Sequence, residues 1–199
     1  MDNTFTDTYI DLLRNDDACE DRFSELKQKF ASGQQLTEAE FKTLVQELLS
    51  IAIIDEQLAE LNYLQSYSLE QTVGKSDFDP EFEQHEEDER EHKYDLINRL
   101  RELDSNFIFT GIDQWIFLNS RGTAWKQEFD KTSANVLLNR LKEEEEAVEF
   151  YTLCVDFTRG TSDTTTYTLF KKIKEDEEEH VKDLRDLARE YELLEISEG

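Results

Sequence analysis

Six residues have the types and spacing of metal ligands and form two copies of one pattern. In each copy, a lone glutamate is followed after 33 residues by Glu-x-x-His. The first copy is Glu56, Glu89 and His92, and the second is Glu144, Glu177 and His180. Residues i and i+3 of an α-helix share a face, so each Glu-x-x-His presents one carboxylate and one imidazole to the same point. The chain has only 3 histidines, and two of them follow the repeat. We therefore interpret the six residues as one buried dinuclear metal site.

The charge of this set favours two divalent cations. Four carboxylates carry −4 and two such ions carry +4, whereas the empty site would bury carboxylates at considerable cost. Metal is therefore expected to stabilise the fold. The mixed oxygen and nitrogen ligands suit iron or manganese, although zinc or copper could occupy the site by raw affinity.

The offset of 88 positions extends to residues around the ligands: Ala59 and Ala147, Tyr63 and Tyr151, and Asp88 and Asp176. With these residues, roughly positions 38 to 194 resemble the ferritin-like superfamily, and within it bacterioferritin and rubrerythrin. The resemblance implies a four-helix bundle that binds two irons and reacts with O₂ or H₂O₂. It also implies that Glu89 and Glu177 bridge the metals, that Glu56 and Glu144 are terminal ligands, and that each histidine binds one metal.

Local signals place four helices around these residues. The first should run from the capping box at Thr37 to about Val73, with Gly74 as its stop, and the second should start at Asp79-Pro80. The third should follow Thr132-Ser133 and end at Gly160, and the fourth should follow Asp163, with an inward stripe from Phe170 to Tyr191. The predicted fold class is all-α.

The arrangement expected from these helices is a ferritin-like four-helix bundle, residues 37–199, with an additional N-terminal helical segment, residues 1–36. That segment would lie on the bundle or form a subunit contact. A long aromatic crossover, residues 105–131, would connect the second and third helices, as ferritin-like bundles allow.

Several residues near the ligands have more than one interpretation. Tyr63 and Tyr151 either hydrogen-bond a ligand or donate an electron, or they are core tyrosines with satisfied hydroxyls. Asp88 and Asp176 are expected to accept the second imidazole N–H across the bundle, because metal-bound histidine usually has such a partner. We predict that His85 is a partly exposed histidine rather than a residue at the mouth of the site, and that Cys154 is a small core residue.

Composition excludes several classes of protein. The formal charge of −26 argues against nucleic acid and anionic lipid as partners, and it favours attraction of cations such as Fe²⁺. No signal peptide and no apolar run of membrane-spanning length is recognisable, so a cytoplasmic protein is expected. Two cysteines cannot build a secreted disulfide framework.

The leading hypothesis is a di-iron oxidoreductase of ferroxidase or peroxide-detoxifying type, with two iron ions, or manganese, and with O₂ or H₂O₂ as oxidant. A di-iron oxygenase acting on an organic substrate and a non-enzymatic acidic interaction protein are the alternatives.

Haem is not expected, because Met1 is the only methionine and bacterioferritin uses an axial methionine on its second helix. Ala147 stands where rubrerythrin has a further glutamate, which weakens that type of peroxidase. The expected assembly is a homodimer or a larger homo-oligomer; a storage shell is in doubt because only 19 residues follow His180.

Overall fold

The computed structural model describes residues 21–22, 24–26, 28–29, 32, 36–73, 79–105, 133–191 and 193. These residues form four long helices and contain no strand: α1 (Glu38–Val73), α2 (Asp79–Leu103), α3 (Ser133–Thr158) and α4 (Thr164–Glu190). Further helical residues occur between positions 21 and 29. The all-α fold class and the four predicted helices are confirmed.

Side-chain caps explain where α1 and α4 begin. The Thr37 backbone N–H donates to Glu40 Oε2 (2.8 Å) and the Glu40 N–H donates to Thr37 Oγ1 (3.3 Å), which is the predicted capping box. Asp163 caps α4 by accepting from the Thr166 N–H (3.0 Å). Both caps satisfy backbone donors that a helix start leaves without intrahelical partners.

Gly160 lies in the short turn between α3 and α4 and has a φ of +73°. Other residues adopt this left-handed conformation only at a cost, which is why glycine commonly follows a helix end. An added Cβ would meet nothing within 4 Å, so the requirement is conformational and not steric.

One predicted inward residue is misplaced. Tyr191 follows the last residue of α4, forms its C-cap and is 38% exposed. The predicted inward position is wrong for Tyr191 because α4 ends at Glu190, before the turn that would direct the ring inward. Leu187, one turn earlier, is half-buried.

Some predictions fall on residues that the structure does not describe. These are Gly74 as a helix stop, almost all of the crossover 105–131, and most of the N-terminal segment 1–36. The division into domains at residue 36 therefore stays a prediction. In the described part of the chain, no helix combines the length and the apolarity needed to cross a membrane.

The chain divides into two compact units, Met1–Asp55 with Lys93–Glu128, and Glu56–His92 with Phe129–Gly199. The described core of the first unit is aliphatic and includes Leu48, Leu49, Ile53 and Leu96. In the second unit, all four helices contribute to one cluster of buried residues: Tyr63, Phe82, Val136, Leu137, Leu141, Val181, Leu184 and Ala188. The second unit also contains all six predicted metal ligands.

Candidate metal centre

The six predicted ligands meet in the interior of the second unit, and four helices supply them: Glu56 from α1, Glu89 and His92 from α2, Glu144 from α3, and Glu177 and His180 from α4. No residue among them is more than 3% exposed. Charged residues are almost never buried this deeply unless they are paired or bind a cation. Their burial therefore requires a compensating partner.

The Nδ1 atom of His92 is the centre of the first of two clusters. It lies 3.4 Å from Glu56 Oε2, 3.6 Å from Glu89 Oε2 and 3.3 Å from Glu177 Oε1. Bonds of ~2.1 Å from a tetrahedral metal to such ligands would place ligand atoms about 3.4 Å apart. The spacing of this cluster therefore fits a single metal ion.

The second cluster is built in the same way around Nδ1 of His180. This atom lies 3.4 Å from Glu89 Oε1, 3.7 Å from Glu144 Oε2 and 3.4 Å from Glu177 Oε2. Glu89 and Glu177 thus contribute one oxygen to each cluster, whereas Glu56 and Glu144 contribute to one cluster each. This is the geometry of two shared and two unshared carboxylates.

Missing hydrogen bonds point to the same place. Nine buried side-chain nitrogen or oxygen atoms in the described residues have no hydrogen-bond partner, and six of them belong to the predicted ligands: Glu56 Oε2, Glu89 Oε1, His92 Nδ1, both Glu177 oxygens and His180 Nδ1. Buried polar atoms in folded proteins are usually satisfied. Atoms without partners that converge on two points fit a pair of metal ions.

Two aspartates contact the outer nitrogens of the histidines. Asp176 Oδ2 lies 3.1 Å from His92 Nε2, and Asp88 Oδ2 lies 3.5 Å from His180 Nε2. Since a carboxylate only accepts, each Nε2 atom carries a proton, and Nδ1 is the nitrogen that would offer its lone pair to a metal ion. Each aspartate reaches the histidine of the opposite helix, which is the position that the sequence suggested for it.

Two buried tyrosines hold the unshared glutamates. The Tyr63 hydroxyl donates to Glu144 Oε1, and the Tyr151 hydroxyl donates to Glu56 Oε1. Burial and the neighbouring glutamate charge raise the pKa of both hydroxyls well above 10, so each remains a donor. The pairing is crossed, because each tyrosine serves the glutamate of the other repeat. The geometry favours the interpretation in which both hydrogen-bond a ligand.

Tyr63→Phe should lower the free energy of unfolding by about 1 to 3 kcal/mol, because it leaves a buried Glu144 oxygen without its donor. Urea denaturation of the metal-loaded protein measures the change. Tyr94→Phe is the matched control, since Tyr94 is 52% exposed and the substitution should have almost no effect. Equal stability of the two variants would show that the hydroxyl of Tyr63 contributes nothing.

In the metal-free site, protons compensate the carboxylates. Burial, followed by the charge of Glu177, raises the pKa of Glu89 well above its usual 4.5 and that of Glu144 to about 7. Burial opposes protonation of His92 and His180, but the negative charge of the surrounding carboxylates outweighs it and raises the pKa of both rings. Metal binding must displace these protons.

His85 is the site residue that sequence reasoning misplaced. It is 2% exposed and not partly exposed as predicted. Its ring stacks on His180 with centroids 4.0 Å apart, and its Nδ1 lies 3.1 Å from the Tyr63 hydroxyl. Burial, then the charge of His180, lowers the pKa of His85 to about 4, so the ring is neutral. The sequence did contain a signal for its burial, since His85 lies one heptad before His92 and so shares a helix face with it. Cys154 is fully buried, as a small core residue should be.

The chain is similar to known proteins in sequence and in fold. A model of the ferritin-like domain matches residues 46–194. Among solved structures, the bacterioferritin-related protein from Bacteroides fragilis, described as a dodecameric thioferritin, superposes with a TM-score of 0.59. It is 26% identical, and the alignment covers 88% of this chain and 98% of that one. No functionally curated protein matches significantly.

Proposed function

Because the chain belongs to the ferritin-like family, we propose that it is a di-iron oxidoreductase that oxidises Fe²⁺ with O₂ or H₂O₂. The observation that carries this proposal is the pair of buried clusters that share Glu89 and Glu177. Two Fe²⁺ held by one pair of bridging carboxylates can lose one electron each to the same oxidant. The two electrons reduce O₂ to H₂O₂, or H₂O₂ to two waters, with uptake of two protons.

The residues of the chain have separable roles in this reaction. Glu89 and Glu177 would bridge the two ions, Glu56 and His92 would complete one position, and Glu144 and His180 the other. The four carboxylates balance the charge of two Fe²⁺. Asp88 and Asp176 would orient the imidazoles, and Tyr63 and Tyr151 would fix the terminal glutamates. Each ion would have four protein donors, namely one imidazole, one unshared carboxylate and one oxygen from each of the two shared carboxylates, which leaves room for an oxidant.

The surroundings of the site favour an inorganic substrate. A cavity of about 440 Å³ lies beside it, and its lining includes Glu91, Asp176, Glu179 and Lys172 together with both ligand histidines. Such a cavity attracts cations and does not suit an apolar molecule. Iron as the metal is supported by the family and by the oxygen and nitrogen ligands. A larger homo-oligomer is supported by the dodecameric relative.

Turnover distinguishes this function from an oxygenase. Anaerobic protein loaded with two Fe²⁺ per chain should be oxidised rapidly when O₂ or H₂O₂ is added, and it should turn over repeatedly when more Fe²⁺ is supplied without any organic molecule. Stopped-flow absorbance of ferric iron follows the reaction. A single oxidation that stalls despite excess Fe²⁺ and reductant would contradict the proposal and favour an oxygenase.

A further inference from the structure

A third group of metal-ligating side chains lies outside the six residues of the dinuclear site. Glu81, His85 and Asp183 each place one ligand atom within 4.8 Å of the other two. Glu81 and His85 are one turn apart on α2, and Asp183 faces them from α4. All three line the cavity beside the dinuclear site. We propose that Glu81, His85 and Asp183 form a third divalent-cation site, suited to Fe²⁺ or Mn²⁺.

The hydrogen bonds of His85 prepare one of its nitrogens for a cation. The single proton of the Tyr63 hydroxyl goes to Glu144, so this hydroxyl can only accept from His85 Nδ1 (3.1 Å). The neutral ring then has its lone pair on Nε2. No hydrogen bond to Nε2 is found among the described residues, although His85 is only 2% exposed. A buried histidine that lines an acidic cavity and has one ring nitrogen without a hydrogen bond fits a metal ion.

The two carboxylates can close around such an ion. Glu81 and Asp183 are half-buried, and Asp183 Oδ1 accepts from Lys182 at 2.9 Å, which leaves its other oxygen for a ligand bond. Bonds of ~2.1 Å separate opposite ligands of one ion by about 4.2 Å. Because the three ligand atoms lie within 4.8 Å of one another, small side-chain movements would bring them to bonding distance of one ion, and water would fill the remaining positions.

The electrostatics of the cavity support a cation at this position. Six carboxylates and one lysine, Lys172, are among the described residues of its lining; the carboxylates are Glu81, Asp88, Glu91, Asp176, Glu179 and Asp183. Fixed charge of one sign in a cleft raises the local concentration of the opposite ion. The cavity should therefore hold divalent cations before they reach the buried clusters.

One such site is expected in each chain and not two. Positions 88 residues after Glu81 and His85 are Leu169 and Ile173, which cannot bind a metal. The third site thus breaks the repeat that the dinuclear ligands follow. His85 stacks on His180, a ligand of the second cluster, so a cation on His85 would lie one imidazole away from that cluster. The use of the third site as a waiting position for Fe²⁺ rests on the proposed function, whereas the existence of the third site does not.

Anaerobic titration with Co²⁺ tests the site without any activity measurement. Equilibrium dialysis of the full chain should find about three Co²⁺ per wild-type chain, and about two in Glu81→Ala combined with Asp183→Ala. Glu83→Ala with Asp186→Ala removes two exposed carboxylates from the same helices outside the cavity and should keep three. His85→Asn should also bind two, although it does not change the number of carboxylates.

Each other outcome has a definite meaning. Two Co²⁺ in the wild-type chain, or three in both site variants, would overturn the third site and leave the dinuclear site intact. A third ion lost equally from the Glu83 and Asp186 control would also overturn it, because acidity alone would then explain binding. Absence of all Co²⁺ from the wild-type chain would reject the dinuclear site and the proposed function as well.

Discussion

Glu89→Ala combined with Glu177→Ala should leave the protein with almost no bound iron, against about two ions per chain in the wild type. Each of these carboxylates contributes one oxygen to the cluster around His92 and one to the cluster around His180. The double substitution leaves each ion with one glutamate and one histidine. Because losing even an outer partner of a ligand costs about 10- to 100-fold in affinity, iron oxidation should fall by more than 100-fold.

Elemental analysis after anaerobic reconstitution measures the iron, and stopped-flow absorbance measures its oxidation. The matched control is Glu87→Ala combined with Glu175→Ala, which removes two exposed carboxylates from the same helices and should keep two irons. Two irons and full activity in the bridging variant would reject the dinuclear site. Iron lost to the same extent from the control would show that general acidity, and not the bridging geometry, holds the metal.

Metal-free protein should become less stable as pH rises from 6.5 to 8.5. The pKa of Glu89 and that of Glu144 are raised, the latter to about 7, and the pKa values of His92 and His180 are raised too. Over this pH range the unfolded chain releases the last of these protons, because its histidines have a pKa of about 6.5, whereas the folded chain still binds them. Each extra proton on the folded state costs ~1.4 kcal/mol of stability per pH unit.

The remaining shifts do not reverse this sign. Glu56 and Glu177 have lowered pKa values, since their interactions with the histidines outweigh burial, and they matter only below about 4.5. His85 is neutral in both states above 6.5. Bound metal replaces the protons, so the loaded protein should lose most of the pH dependence.

Thermal unfolding followed by circular dichroism, with chelator or with Mn²⁺, measures both effects. Metal at 1,000 times its dissociation constant adds about 4 kcal/mol, which corresponds to roughly 10 °C in Tm for a chain of this size. Glu89→Gln mimics the protonated carboxyl, and its metal-free form should be more stable than the wild type at pH 8.5. A metal-free Tm that is unchanged or higher at pH 8.5 would contradict the assignment.

The helices and the ligand set could be predicted because their signals are local. A capping box at Thr37, an N-cap at Asp163 and a glycine at position 160 mark helix ends regardless of the rest of the chain. The repeated Glu-x-x-His spacing depends only on helix geometry, so it indicates which side chains share a face. Tyr191 shows the limit of this reasoning, because the helical period continues in the sequence after the helix has ended.

Contacts between helices could not be predicted in the same detail. Periodicity places Tyr63 two turns along from Glu56, yet its hydroxyl donates to Glu144 on another helix. His85 shares the inward face of α2 with His92, but only the packing of α4 against that face decides whether the ring is exposed or stacked on His180. Rotation and register between helices settle such contacts, and a single sequence does not encode them in any short pattern.

The crossed contacts make the two halves of the site symmetric. Tyr63 with Glu144 and Tyr151 with Glu56 are one contact made twice, and so are His92 with Asp176 and His180 with Asp88. Two identical hairpins paired about a twofold axis would form every one of these contacts, which is the self-complementarity of an isologous dimer. Joining both hairpins in one polypeptide removes the need for identity, and His85 in one half with Ile173 in the other is a difference that two identical hairpins could not have.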